Sequence, residues 1–123
     1  MNAPPVDTRR APRRQVAARV AVTDQMREAV AGHLVNLSET GMLMLASAPL
    51  DEDALYQFRF PLPLDDGRQV DIDVGVHLLW SEPAQLPGQA WTGFRFLTLS
   101  REHRQLVRDW VGEEDSPAPL STA

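Results

Sequence analysis

Gln69-Val70-Asp71-Ile72-Asp73-Val74-Gly75-Val76-His77-Leu78-Leu79-Trp80 is the stretch that decides the fold. Successive side chains of an extended strand point to opposite faces. Val70, Ile72, Val74, Val76, Leu78 and Trp80 therefore fall on one face, and a long strand is predicted. Just upstream, Asp65-Asp66-Gly67 is a strong hairpin signal, because glycine reaches the positive φ that a tight turn needs. Before that turn, Tyr56, Phe58, Phe60 and Leu62 alternate with Gln57, Arg59 and Pro61 and give the partner strand. Downstream, Pro83 to Gly88 reads as a loop, and Ala90, Thr92, Phe94 and Phe96 share a face of the next strand.

The same reading extends toward the N-terminus. Met42 to Ser47 is apolar on both faces and reads as a buried strand. Ala29–Leu37 is another strand, with Val30 and Leu34 facing inward. Thr23 to Glu28 turns the chain, and an earlier strand starts at Gln15, with Val16, Ala18, Val20 and Val22 on one face. At Ser100 the period changes. Leu99, His103, Leu106, Val107, Trp110 and Val111 follow helical spacing, Ser100 is a natural N-cap, and Gly112 sits where a helix ends. Six short strands followed by one amphipathic helix predict an all-β-dominated fold: a six-stranded antiparallel β-barrel with a C-terminal α-helix over one opening or face. Closing the sheet removes its adhesive edges. The expected organisation is a flexible arginine-rich arm at 1–14, barrel plus helix at 15–112, and a disordered acidic tail at 113–123.

With 123 residues and 43% hydrophobic content, the chain is one ordinary globular domain. It has no cysteine, which excludes disulfides, a thiol nucleophile and cysteine-based metal sites. No apolar run approaches the roughly 20 residues that span a bilayer. Met1 to Arg14 lacks the apolar core of a secretory signal, so a cytoplasmic location is expected. Catalysis finds no support. His33, His77 and His103 are scattered, and there is no Gly-x-Ser-x-Gly elbow, phosphate loop or dinucleotide fingerprint. Asp71 and Asp73 read as a solvated strand face rather than a metal site. The chain is expected to be no enzyme and to carry no metal or cofactor.

Charge is distributed unevenly. Net charge is −5, and all twelve basic residues are arginine. Residues 1–20 hold Arg9, Arg10, Arg13, Arg14 and Arg19 against Asp7, a net +4, which leaves −9 on the remainder. A basic arm on an acidic body suits a few phosphates better than a long nucleic acid.

Two motifs carry chemistry. Arg9-Arg10-Ala11-Pro12-Arg13-Arg14 contains Arg-x-x-x-Arg twice, as Arg9/Arg13 and Arg10/Arg14. Each guanidinium is a permanently charged planar fork that grips a phosphate or the O6/N7 edge of guanine and can stack on a base. Asn36-Leu37-Ser38-Glu39-Thr40-Gly41 is a turn by composition, with an amide, a hydroxyl and a glycine that lets a backbone or ligand come close.

An Arg-x-x-x-Arg arm before the first strand, followed by [Asp/Asn]-x-Ser-x-x-Gly between the second and third, resembles the PilZ domain family. Thr92-Gly93-Phe94-Arg95-Phe96 looks like that family's Gly-x-x-Phe strand, and a terminal helix follows it. The resemblance implies binding of the bacterial second messenger cyclic di-GMP. It implies that Arg9 and Arg13 contact phosphates and guanine edges and that Arg10 stacks or adds a phosphate contact. Arg14 fits the alternative register. Asn36 and Ser38 would hydrogen-bond a guanine, Gly41 would keep the turn open, and Trp80 matches an aromatic that some members place against a base. Asn36 stands where many members carry Asp; an amide accepts only at its oxygen, without charge assistance. With no second domain expected, the signal would pass to a protein effector in trans. The competing readings are a protein-interaction module that binds no ligand, of the pilus-assembly type, and a binder of single-stranded nucleic acid. Both motifs argue against the first; the acidic body and 7% aromatic content argue against the second.

Overall fold

A computed structural model describes residues 12–115. Seven strands precede one helix: β1 (Arg13–Gln15), β2 (Ala21–Asp24), β3 (Ala29–Ser38), β4 (Gly41–Ala46), β5 (Leu55–Pro63), β6 (Gln69–Pro83), β7 (Ala90–Leu99) and α1 (Arg101–Asp115). All pairings are antiparallel. β3, β2, β5, β6, β7 and β4 succeed one another, and β4 pairs back onto β3 to close the six-stranded barrel. β1 is an extra strand on β3. Phe58, Phe60, Leu37, Met42, Met44, Ile72, Val74 and Val76 fill the interior, with Phe58 and Phe94 packed edge to face at 5.3 Å. The predicted Asp65-Asp66-Gly67 turn is present, with Gly67 at φ 92.

Four details depart from the period-2 reading. The predicted strand from Gln15 to Val22 is two pieces on one edge of β3: β1 covers Asn36–Ser38 and β2 covers Ala29–His33. Between them, Val16 N–H donates to the Val35 carbonyl and Leu34 N–H to that of Val20, each at 2.9 Å. The break lies opposite a bulge in β3 between Leu34 and Asn36, where the added residue kinks the strand. Arg13 and Arg14, assigned to the arm by sequence, consequently sit in the sheet.

The other departures have similar causes. Val30 is 50% exposed and Ala31 takes the core position, because the β2–β3 register shifts between Val22 and Thr23. Trp80 leaves the inward face through a shift between Leu78 and Trp80 that leaves Leu79 unpaired. Finally, α1 begins as predicted, with Ser100 Oγ accepting the His103 N–H at 3.0 Å, but it runs through Gly112 to Asp115. Glycine inside a helix is tolerated at about 1 kcal/mol relative to alanine.

α1 packs against β1 and β3 and buries Val107, Trp110 and Val111. The Trp110 indole N–H donates to the Pro63 carbonyl at 2.9 Å. His103 Nδ1 accepts the backbone N–H of Asp73 at 3.3 Å. Among the described residues, no helix is long and apolar enough to cross a membrane.

Candidate functional site

The register of β1 on β3 places Arg13 opposite Ser38, Arg14 opposite Leu37 and Gln15 opposite Asn36. The two sequence motifs, more than twenty residues apart, therefore meet. Arg13 donates from Nη1 to Asn36 Oδ1 at 2.7 Å. Arginine has only donors, so this bond fixes the Asn36 amide with its oxygen toward Arg13 and its NH2 group away. Asn36 is 7% exposed, which makes a firm amide a reasonable foundation for recognising a polar edge.

Ser38 is fully buried, and its hydroxyl is occupied by the turn. Oγ accepts the N–H groups of Thr40 and Gly41 at 3.2 and 3.1 Å and lies 3.2 Å from the Gly41 carbonyl. Gly41 has an ordinary negative φ; its lack of a side chain serves a close approach instead. A Cβ there would lie 2.2 Å from the Phe94 carbonyl oxygen. The turn is further tied to β7 by Phe96 N–H donating to the Thr40 carbonyl at 2.9 Å.

Arg14 points elsewhere. Its guanidinium bonds both carboxylate oxygens of Asp65 at 2.8 and 3.2 Å and the Trp110 carbonyl at 2.7 Å, and it lies 4.1 Å over the Trp110 ring. This arginine fastens β1 to the β5–β6 turn and to α1. Glu39, inside the Asn-x-Ser-x-x-Gly turn, pairs with Arg108 of the same helix. Of the two Arg-x-x-x-Arg registers, the one ending at Arg13 reaches Asn36, and the one ending at Arg14 reaches the helix. Arg9 and Arg10 lie outside the described residues, as do most of the predicted arm and the end of the acidic tail.

Trp80 stands on the outer wall, 42% exposed. Asn36, Leu43, Gly93 and Trp80 are successive register partners across β3, β4, β7 and β6. The indole lies over Gly93: a Cβ at that glycine would sit 2.1 Å from Trp80 Nε1. One face of the ring rests on glycine and the other is open. Sequence periodicity missed this placement because a one-residue bulge leaves no compositional mark.

Elsewhere, Asp73 is paired with Arg59 at 2.6 Å, and the hydrogen bond from that guanidinium holds its carboxyl below the usual carboxylate range. A cleft of about 440 Å³ between the β5–β6 turn and α1, lined in part by Asp65, Asp66, Asp109 and Trp110, is acidic and lies on the side of β1 that Arg14 faces. No group of three or more His, Asp or Glu suited to a metal ion occurs among the described residues.

The described residues form a closed small barrel with an arginine-bearing strand laid against an Asn-x-Ser-x-x-Gly turn. The chain belongs to the PilZ domain family, whose family model matches residues 7–113. Solved structures agree with that assignment. Bacillus subtilis inhibitor of motility (MotI/DgrA) superposes with TM-score 0.71 at 12% identity, over 85% of this chain and 49% of that one. YcgR from Escherichia coli in complex with c-di-GMP gives 0.67 at 18%, over 86% and 45%. The PilZ domain of that YcgR with c-di-GMP gives 0.61 at 18%, over 86% and 91%. At these identities the likeness establishes the fold, and the chain spans about half the length of the first two proteins. No curated protein matches the chain in sequence.

Proposed function

We propose that this chain binds cyclic di-GMP at the junction of β1 with the β3–β4 turn and relays the signal to a separate protein. The observation that supports this reading best is the Arg13–Asn36 bond, which joins the arginine leader to the Asn-x-Ser-x-x-Gly motif. The ligand offers phosphates to the guanidinium of Arg13, with Arg9 and Arg10 of the leader adding further contacts. As Arg13 turns to a phosphate, Asn36 Oδ1 is released to accept from the N1/N2 edge of guanine. Ser38 and Gly41 serve by holding the turn that presents Asn36, and the open face of Trp80 offers a base a stacking surface.

The energetics permit closure of the arm over the ligand. Ordering a residue costs about 1–2 kcal/mol, and each charge-assisted hydrogen bond returns about 1.5–3 kcal/mol. Micromolar affinity requires about −8 kcal/mol net, which several such contacts supply. Calorimetric titration with cyclic di-GMP is the test, with particle size followed alongside. Wild type should bind, and Arg9→Ala/Arg13→Ala should lose binding by about 100-fold or more, corresponding to two charged contacts. Equal affinity in both proteins would refute the clamp.

A further inference from the structure

Arg95 is an arginine of the barrel wall that neither motif includes. It lies on β7 between Phe94 and Phe96, which pack toward the interior, so its own side chain projects outward and is exposed. Its register partners are Gly41 on β4 and His77 on β6. The next residue, Phe96, bonds the Thr40 carbonyl of the Asn-x-Ser-x-x-Gly turn. Arg95 therefore stands directly beside that turn, two residues along the same face of β7 from Gly93 and the Trp80 indole above it. Asn36 lies two strand spacings away, about 10 Å across the sheet, and Arg13 three, about 15 Å.

Its electrostatic surroundings differ from those of the ion-paired arginines. Arg14, Arg59, Arg68 and Arg108 each hold a carboxylate. Arg95 makes none of the ion pairs found among the described residues; its Nη2 meets only His77 Nδ1, at 3.5 Å. Since arginine cannot accept, His77 Nδ1 must be the acceptor, which places the ring proton on Nε2, facing Asp53 Oδ1 at 3.2 Å. The row Asp53–His77–Arg95 orients the guanidinium without neutralising it. Gly93, on the same strand, lets the Trp80 indole lie against the wall beside it, so an aromatic face and a guanidinium stand next to each other.

We propose that Arg95 is a further ligand-binding residue of the same site, taking a phosphate of the bound guanine dinucleotide on the barrel wall, across the turn from Arg13. This rests on the cyclic di-GMP reading above. The backbone of an arginine in the middle of a strand is already ordered by its pairing, so its contact is formed at little entropic cost.

Calorimetry with cyclic di-GMP on the full chain, comparing wild type, Arg95→Gln, Arg95→Lys, Arg13→Ala and Arg101→Gln, decides it. Arg95→Gln should weaken binding about 10- to 100-fold, the range of one charged hydrogen bond, with an unchanged melting temperature. Arg95→Lys should fall between it and wild type, because it keeps charge but not the fork. Arg101→Gln, at the start of α1, should bind as wild type does. If wild type binds, Arg13→Ala weakens it and Arg95→Gln does not, Arg95 is excluded while the site stands. If wild type itself fails to bind, the reading of the site falls and this inference with it.

Discussion

The outer wall around the β3–β4 turn and the helix-covered side of the barrel make opposite uses of the same residue types. Beneath α1, polar groups are matched: Arg14 to Asp65 and the Trp110 carbonyl, the Trp110 indole to Pro63, His103 to the Asp73 backbone. On the wall, an indole lies half open on a glycine and an arginine faces only an imidazole. β1 separates the two, with Arg13 turned to the wall and its neighbour Arg14 turned to the helix. Groups that are satisfied within the protein stabilise it, whereas groups left open can serve something that arrives from solution.

That contrast can be broken most severely at the helix. Trp110→Ala removes a buried aromatic, its indole hydrogen bond and the surface under Arg14; a loss of about 3–5 kcal/mol is expected in urea denaturation. Arg14→Ala is the sharper test. It should lower stability by about 1–3 kcal/mol through the lost charged bonds and stacking, yet alter cyclic di-GMP affinity far less than Arg13→Ala does. Affinity loss in Arg14→Ala as large as in Arg13→Ala would mean that the Arg10/Arg14 register carries the ligand.

Gly93→Ala probes the wall without altering the aromatic itself. The new Cβ collides with the Trp80 ring, a side chain that can swing away, so stability should change by less than about 1 kcal/mol while affinity drops several-fold. Unchanged affinity would remove Trp80 from the site.

The smallest effect concerns acid. The Asp73 carboxyl is held below its unfolded value by Arg59, so its contribution is present above the ordinary carboxylate pKa of about 4 and disappears as pH falls through the lower folded value. The pair is solvent-exposed, and salt and water reduce it to below about 1 kcal/mol. Urea midpoints for Asp73→Asn and wild type should converge in that acid range; a gap that persists there would show that the carboxylate acts other than through its charge.

The strands were legible because alternation over Tyr56–Leu62 and Val70–Leu78 follows directly from a sheet with one wet and one dry face. Ser100 was legible because a hydroxyl at a helix start has one clear job. Besides the helix end beyond Gly112, three strand features escaped, all at bulges: the split near Val16, the exposure of Val30 and the outward turn of Trp80. A bulge depends on how two strands match, which neither strand records alone. The motifs were readable as chemistry, but their division of labour was not. Arg13 and Arg14 are equivalent in sequence spacing, and only the register with Asn36 and the helix beyond Leu37 separates them. Ser38 likewise reads as a ligand contact, and its second role, accepting the Thr40 and Gly41 N–H groups within the turn, appears only in the structure.

The unpaired Leu79 makes the position of an aromatic a matter of parity. Counting from Leu78, an even step would carry Trp80 through the wall into the interior; the extra residue makes the step odd and turns the ring to solvent. Removing Leu79 would leave the ring outward on a regular strand, whereas drawing Leu79 into register would turn the ring inward. Loops and turns usually absorb an extra residue, but here a strand in mid-course absorbs it, and the pairing around it decides which side of the protein an indole occupies.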